Sequence, residues 1–217
     1  MALPTYLEMV NDILVRMREP EVSTVQENTL SKLVGRLVND AKRQVEDAYS
    51  WNALRDILTI QTQANTYGYS LIGSGTRFKV SDVTDTTNKA EIRTLSTKVM
   101  ALYLMNSLDE GNPMYYNFNG VDSTGDTKVD FFPVPVAGLT LSFDLYIPQP
   151  ELAGDTDVLK APKEPVVLGA YARALVERGE DGGLNSTEAM GLYRSSLADA
   201  IAIESSRYVE EDAWEAV

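Results

Sequence analysis

Leu139-Thr140-Leu141-Ser142-Phe143-Asp144-Leu145-Tyr146-Ile147 alternates a core-type side chain with a more polar one along its whole length. Successive side chains of a strand point to opposite faces, so this stretch predicts a half-buried strand. Residues 128–132 read as its partner, joined to it through Pro133-Val134-Pro135-Val136-Ala137-Gly138. Residues 54–62, 69–72, 77–80, 90–95 and 114–118 share its β-branched and aromatic character and are set off by Gly, Asn and Asp, so they also predict strands. The stretch 96–108 is apolar without a decisive period and suits a short helix or a buried strand. Short strands with turn signals from 52 to 161 predict a small antiparallel sandwich or barrel.

Outward from this region the period lengthens to that of a helix. Tyr6, Met9, Val10, Ile13, Leu14 and Met17 form one stripe. Thr5 and Glu8 have capping-box spacing, and Pro20 stops the helix. A second helix is expected to start at Ser23 or Thr24, with Gln26 and Glu27 completing a capping box. Its stripe is Leu30, Leu33, Val34, Leu37, Val38, Ala41, Val45 and Ala48. Gly35 inside it suits a close helix crossing, and Tyr49 and Trp51 read as an aromatic cap on the helical core. Beyond the strands, Pro165 opens a helix that carries Val167, Leu168, Tyr171, Ala174 and Leu175 and ends at Gly179. Residues 180–183 read as a turn. Asn185 or Ser186 then caps a last helix bearing Met190, Tyr193, Leu197, Ala200 and Ile201.

Neither helix pair covers its own apolar stripe. The economical arrangement packs the first pair on the last. The fold class is therefore α+β: a helical bundle of N- and C-terminal helices, residues 1–51 and 162–217, with an inserted β-rich domain at 52–161. Residues 204–217 form an acidic C-terminal arm carrying Tyr208, Val209 and Trp214.

The chain of 217 residues has no histidine and no cysteine, and its formal net charge is -13. A Ser-His-Asp triad, a Cys-His pair and a His-ligated metal all need residues it lacks. No catalytic, cofactor-binding or metal-binding residue is assigned, and no cofactor is expected. Gly73-Ser74-Gly75-Thr76 has the look of a phosphate loop but no Lys follows the second Gly. Asp122, Asp126 and Asp130, and likewise Asp155 and Asp157, lack EF-hand spacing and read as solvated loops. Excess acid disfavours a grip on DNA phosphates, although an acidic wall lets a strand slide past. No apolar run has bilayer length and the start lacks a signal-peptide pattern, so a protein made in the cytosol is expected, with no membrane partner.

Val10-Asn11-Asp12-Ile13-Leu14, then Glu19-Pro20-Glu21-Val22-Ser23-Thr24, then a long helix ending at Trp51, resembles the head-to-tail adaptor proteins of short-tailed bacteriophages, the tail tubular protein A or gatekeeper type. Arg18 stands where that family commonly has Gly, and Glu21 where it commonly has Pro. The Phe131-Phe132-Pro133 strand, the Tyr146-to-Leu152 segment and the Pro165 helix add weaker likeness. The resemblance implies a non-enzymatic virion protein of the neck or tail, assembled in the host cytoplasm. It implies a dodecameric ring of identical copies beneath the portal protein, holding a tail nozzle or fibre protein below. DNA passes through such a ring without specific binding. Arg207, Tyr208, Val209 and Trp214 are the expected portal-docking residues. Two other functions stay open on the residues alone: a tail-associated hydrolase built on paired carboxylates, and a soluble protein-binding module.

Overall fold

The computed structural model describes residues 3–106, 109–179 and 184–207, of Leu184 the backbone alone. The fold is α+β. The chain divides into two compact units, one from Met1–Leu54 with Gln149–Val217 and one from Arg55–Pro148. Residues 149–161, read from the sequence as strand region, therefore belong with the helices. Leu152, Leu159 and Ala161 bury there, and the segment pairs with the start of the chain rather than with a strand, through an isolated antiparallel bridge of Val158 with Thr5.

In the helical unit, α1 (Tyr6–Arg16) begins with the capping box expected of Thr5 and Glu8. The six stripe residues are all buried. The second helix, α2 (Thr29–Ala48), starts later than the sequence reading placed it. Asn28 is its N-cap, in reciprocal bonds with Ser31. Ser23 and Thr24 instead belong to the preceding turn, where Ser23 donates from N and Oγ to the Glu27 carboxylate. The pattern misleads because Ser23 and Thr24 have acceptors at the right spacing, while buried Val25 already pins the turn to the core. Gly35 lies where an added Cβ would sit 2.4 Å from the Tyr6 hydroxyl and 2.8 Å from Val25. Its role is a close crossing of α1 over α2.

The remaining helices are α4 (Lys163–Arg178) and α5 (Leu184–Arg207), packed on each other and, through α4, on α1 and α2. Gly179 ends α4 in the left-handed conformation that glycine adopts without strain. Asn185 and Ser186 lie inside the first turn of α5, not before it, since the helix starts at Leu184, two residues ahead of the first position a cap at Asn185 would allow. Glu204–Arg207 is the last turn of α5, so the arm read as starting at 204 is helical through 207. Trp51 is buried, and its indole N–H donates to the Val45 carbonyl at 2.6 Å.

The strand unit holds β1 (Arg55–Gln61), β2 (Gly68–Leu71), β3 (Lys79–Asp85), β4 (Ala90–Glu91), β5 (Arg93–Thr94), α3 (Thr97–Asn106), β6 (Glu110–Gly111), β7 (Tyr115–Val121), β8 (Thr127–Phe132), β9 (Val134–Pro135) and β10 (Thr140–Tyr146). One sheet runs β1-β10-β3-β4 and the other β2-β8-β7-β5, with β6 and β9 as a separate pair. The two larger sheets share one core of Ile60, Leu71, Val83, Tyr116, Val129, Phe131, Leu141, Phe143 and Leu145. No closed barrel forms among the described strands. The pairs β5–β7 and β6–β9 are parallel, where an all-antiparallel domain was expected.

The predicted pairing of 128–132 with 139–147 does not occur. Strand β8 lies between β2 and β7, and β10 between β1 and β3. The linker at 133–138 passes from one sheet to the other. Phe131 and Phe143 meet across the core with ring centroids 6.1 Å apart. Facing strands and paired strands bury the same alternate residues, so alternation alone does not separate them. The ambiguous stretch at 96–108 is helical, and its Tyr103 ring covers the outer face of Phe132 at 4.9 Å.

Candidate interaction surface

The motif residues that suggested the adaptor family come together in the helical unit, and most of them hold it together. Val10, Ile13, Leu14, Val22 and Trp51 share the buried core. Asn11 clasps the backbone of Val22 with both ends of its amide, donating to the carbonyl and accepting from the N–H, each at 3.0 Å. Asp12 pairs with Lys163 at the start of α4. Glu19 pairs with Arg178 at its end, 2.9 Å away, and Arg178 also donates to the Met17 carbonyl. One helix and its following turn thus hold α4 at both ends. Pro20 and Ser23 are exposed.

A second set of polar contacts fixes the chain where it re-enters this unit. Lys42 and Glu46 are both 3% exposed. The Lys42 ammonium lies 3.0 Å from Glu46 and donates to the carbonyls of Gln149 (2.7 Å) and Pro150 (3.0 Å). All three ammonium hydrogens therefore have acceptors, which a buried charge requires. Asn39 similarly binds Leu152 through both N–H and carbonyl.

The carboxylates weighed as ligands serve their own loops. Asp126 accepts from the N–H groups of Gly73 and Gly75, the donors a phosphate would need at that turn. Asp122 accepts from the Thr124 hydroxyl and the N–H groups of Thr124 and Asp126. Hydrogen bonds from Thr124 and Ser70 hold its carboxyl well below the usual range. Asp157 accepts from the N–H groups of Ala153 and Gly154, and these bonds lower its pKa. Asp155 caps the N–H of Val25. Burial pushes Asp130 up, opposed by a bond from Asn119. Among the described residues no three His, Cys, Asp or Glu side chains converge as a metal site.

Two wide grooves mark the described surface of the helical unit, beside a smaller one of about 260 Å³. The larger, about 570 Å³, runs between the start of α4 and the C-terminal half of α5, and Pro165, Leu168, Leu192, Ala200 and Ile203 line it. Leu192 and Ile203 are 54% and 56% exposed. The second, about 500 Å³, is lined by Arg16, Met17, Arg18, Tyr171, Leu175, Arg178 and Asn185. Arg18 occupies it from a left-handed backbone position, φ 61°. That is the residue just past the end of α1, where glycine is ordinarily favoured, and a side chain there costs about 1 kcal/mol. Sequence reading noted Arg18 only as a departure from the glycine of the resembling family. The available signal was Arg18 itself, an unsuitable residue at a glycine position.

Of the expected docking residues, Arg207 is the exposed last residue of α5, 3.6 Å from Glu204. Glu204 also accepts from the N–H of Asn52. Tyr208, Val209 and Trp214 lie outside the described residues. No described helix is long and apolar enough to cross a membrane. Compared with known proteins, the chain matches no family model and no curated protein.

Proposed function

We propose that the chain is a structural virion protein, a head-to-tail adaptor whose copies form a ring joining the portal to the tail. The observation that carries this is the apolar character of α5 on more than one side. Ala189 and Tyr193 bury against α4, and Met190, Leu197, Ala200 and Ile201 pack at the edge. Leu192 and Ile203 still point into an open groove with Leu168. Ser195, Ser196 and Asp199 share that groove, and exposed apolar side chains rimmed by polar ones mark a protein contact. The same holds for α3, where Met100 is buried but Leu102, Tyr103 and Met105 are exposed.

In a ring, each protomer presents one flank to the copy on its left and a different flank to the copy on its right. Apolar flanks suit a chain of net charge -13, because like-charged copies gain little from Coulomb attraction. The acidic surplus turned to a channel would let DNA leave without adhering. The protein then acts by contact alone, in the neck of the particle, and is assembled in the host cytoplasm. Electron microscopy of the chain mixed with its own portal protein tests this. A coaxial collar beneath the portal is the expected result, and a portal that stays bare removes the reading.

A further inference from the structure

We propose that Asp130 and Asn117 form a proton-operated latch on α3: a neutral Asp130 donates to the Asn117 side-chain carbonyl and keeps the amide nitrogen on the start of the helix, and an ionised Asp130 turns the amide over and releases it. The inference is independent of the ring reading.

The two side chains are neighbours on one face of a sheet. Asn117 of β7 is the direct cross-strand partner of Asp130 of β8, which sets their Cβ atoms about 5 Å apart. Helix α3 packs on both strands, and each residue is more than nine-tenths buried. The Asn117 nitrogen donates to the Leu95 carbonyl at 2.8 Å and to the Thr97 hydroxyl at 3.3 Å. Thr97 is the first residue of α3 and Leu95 lies just before it, so this amide seats the helix start on the sheet. Its Oδ1 is the one buried side-chain atom without a hydrogen-bond partner among the described residues. An enclosed acceptor without a donor is costly, and the carboxyl opposite can supply a donor only in its neutral form.

Asp130 is placed to be that donor. Its Oδ2 accepts from the Asn119 amide at 2.8 Å, on the β7 side. Its Oδ1 lies toward β2, where Gly68 leaves room for it, since a Cβ there would sit 3.1 Å away. A hydroxyl at Oδ2 keeps a lone pair for Asn119 and turns its hydrogen to Asn117. Burial raises the carboxyl pKa against the opposing pull of Asn119 and Lys128. Lys128 shares the strand and the face. From β7 come Asn117, Asn119 and Tyr115, and from β2 Gly68 and Ser70. From α3 come Tyr103, over Phe132, and Lys98, which is exposed. Beyond β7, β5 adds the exposed Arg93.

The two states differ by one proton and one amide rotation. With the acid neutral, its bond to Oδ1 polarises the amide and strengthens both nitrogen bonds to the helix start. When the proton leaves to solvent, a carboxylate faces an amide oxygen and repels it. A half-turn of the amide presents Nδ2 to the carboxylate instead, and Leu95 and Thr97 lose that donor. The seating of α3, with Leu102, Tyr103 and Met105 exposed on it, thereby follows pH: firm below the Asp130 pKa and loose above it.

Nuclear magnetic resonance of the full chain tests this. Asp130 is followed through its carboxyl carbon, and α3 through hydrogen exchange of the Met100 amide, which bonds Ser96 in the first turn, corrected for the ordinary rise of exchange with pH. Met100 protection should fall about threefold across the Asp130 titration, and the Asn117 side-chain amide signals should move with the same midpoint. Asp130→Asn supplies a permanent donor, so the high protection should persist at every pH. Asn117→Ser removes the acceptor. The Asp130 midpoint should then drop by at least half a pH unit, and Met100 protection should be low and independent of pH. Met100 protection that ignores the Asp130 titration, an Asp130 midpoint unchanged in Asn117→Ser, or a slowly exchanging water on the Asn117 amide at every pH would each overturn the proposal. Should Asn117→Ser not fold, Asp130→Asn decides alone, and protection that still varies with pH in that variant overturns the latch.

Discussion

The helical unit joins its distant segments through polar side chains, whereas the strand unit joins its sheets through rings. In the former, Lys42 reaches Gln149 and Pro150, Asn39 reaches Leu152, Asp155 reaches Val25 and Arg178 reaches Met17. Each bond spans more than 100 positions of sequence. In the latter, Tyr69, Phe131, Phe143, Tyr116, Phe118 and Phe78 form a chain of ring contacts. Its buried polar groups hold turns or adjacent strands, as Asp85 does for Thr87 and Asn88. The contrast has a physical source. Backbone ladders already fix strand register, so a sheet core needs only shape. Helix stripes slide and rotate over one another, so a bundle built from the two ends of a chain needs directional ties.

The comparison breaks hardest at Phe143. Phe143→Ala removes a fully buried ring that touches Phe131 and Tyr116 and should cost the strand unit about 4 kcal/mol. In a Trp214→Phe background Trp51 is the sole tryptophan, and it reports the helical unit alone. Urea unfolding followed by Trp51 fluorescence should keep its midpoint, while hydrogen exchange in β8 and β10 accelerates. A Trp51 midpoint that moves with the strand unit would mean the two cores unfold as one.

The matching lesion in the helical unit is Lys42→Met. It leaves the buried Glu46 carboxyl without its cation and strips a donor from two carbonyls, at about 3 kcal/mol. Lys42→Met with Glu46→Leu should recover most of that loss in the same Trp51 assay, since an apolar pair replaces the charges. If the double variant is no better than the single one, the backbone groups are what the pair secures: the carbonyls of Gln149 and Pro150 held by the ammonium and the Gln149 N–H that donates to Glu46 at 3.3 Å. Gly35→Ala should cost about 2 kcal/mol by forcing a methyl against Tyr6 and Val25. Tyr6→Phe in the same chain removes the nearer clash and should return part of it, measured as a coupling energy between the two substitutions.

How legible the fold was follows the same division. The Thr5–Glu8 capping box and the α1 stripe stand in the structure as the sequence predicts them, because both are local consequences of helix geometry. On α2 the stripe holds at Val34, Leu37, Val38, Ala41 and Val45, but Leu33 is 38% exposed. Periodicity finds a face, not what covers it. Strand β10 was legible and its neighbours were not, since Phe131 faces it from the other sheet. The long-range ties were hidden for a similar reason. Lys42 and Glu46 are an ordinary i, i+4 pair until Gln149 and Pro150 arrive beside them. The Arg groove was hidden further still, because its three cations come from the end of α1, the turn after it and the end of α4.

The smallest effect separates the units by pH. Burial holds the Asp130 pKa above its ordinary value. A carboxyl raised on folding adds stability that is complete below its unfolded pKa, about 3.9, and is lost as pH rises through the folded pKa. At neutral pH the ionised Asp130 therefore weakens the strand unit. Asp122 acts the other way, with its lowered pKa giving stability above about 3.9 that disappears as pH falls through the folded value. Asp130→Asn should thus stabilise the strand unit at pH 7, by less than about 1 kcal/mol after solvent screening, and the gain should vanish at pH 3. Hydrogen exchange of β7 and β8 at the two pH values reads it directly. Equal protection gained at both would assign the change to packing against Gly68 and Asn119, and would remove the charge on Asp130 from the account of this unit's stability.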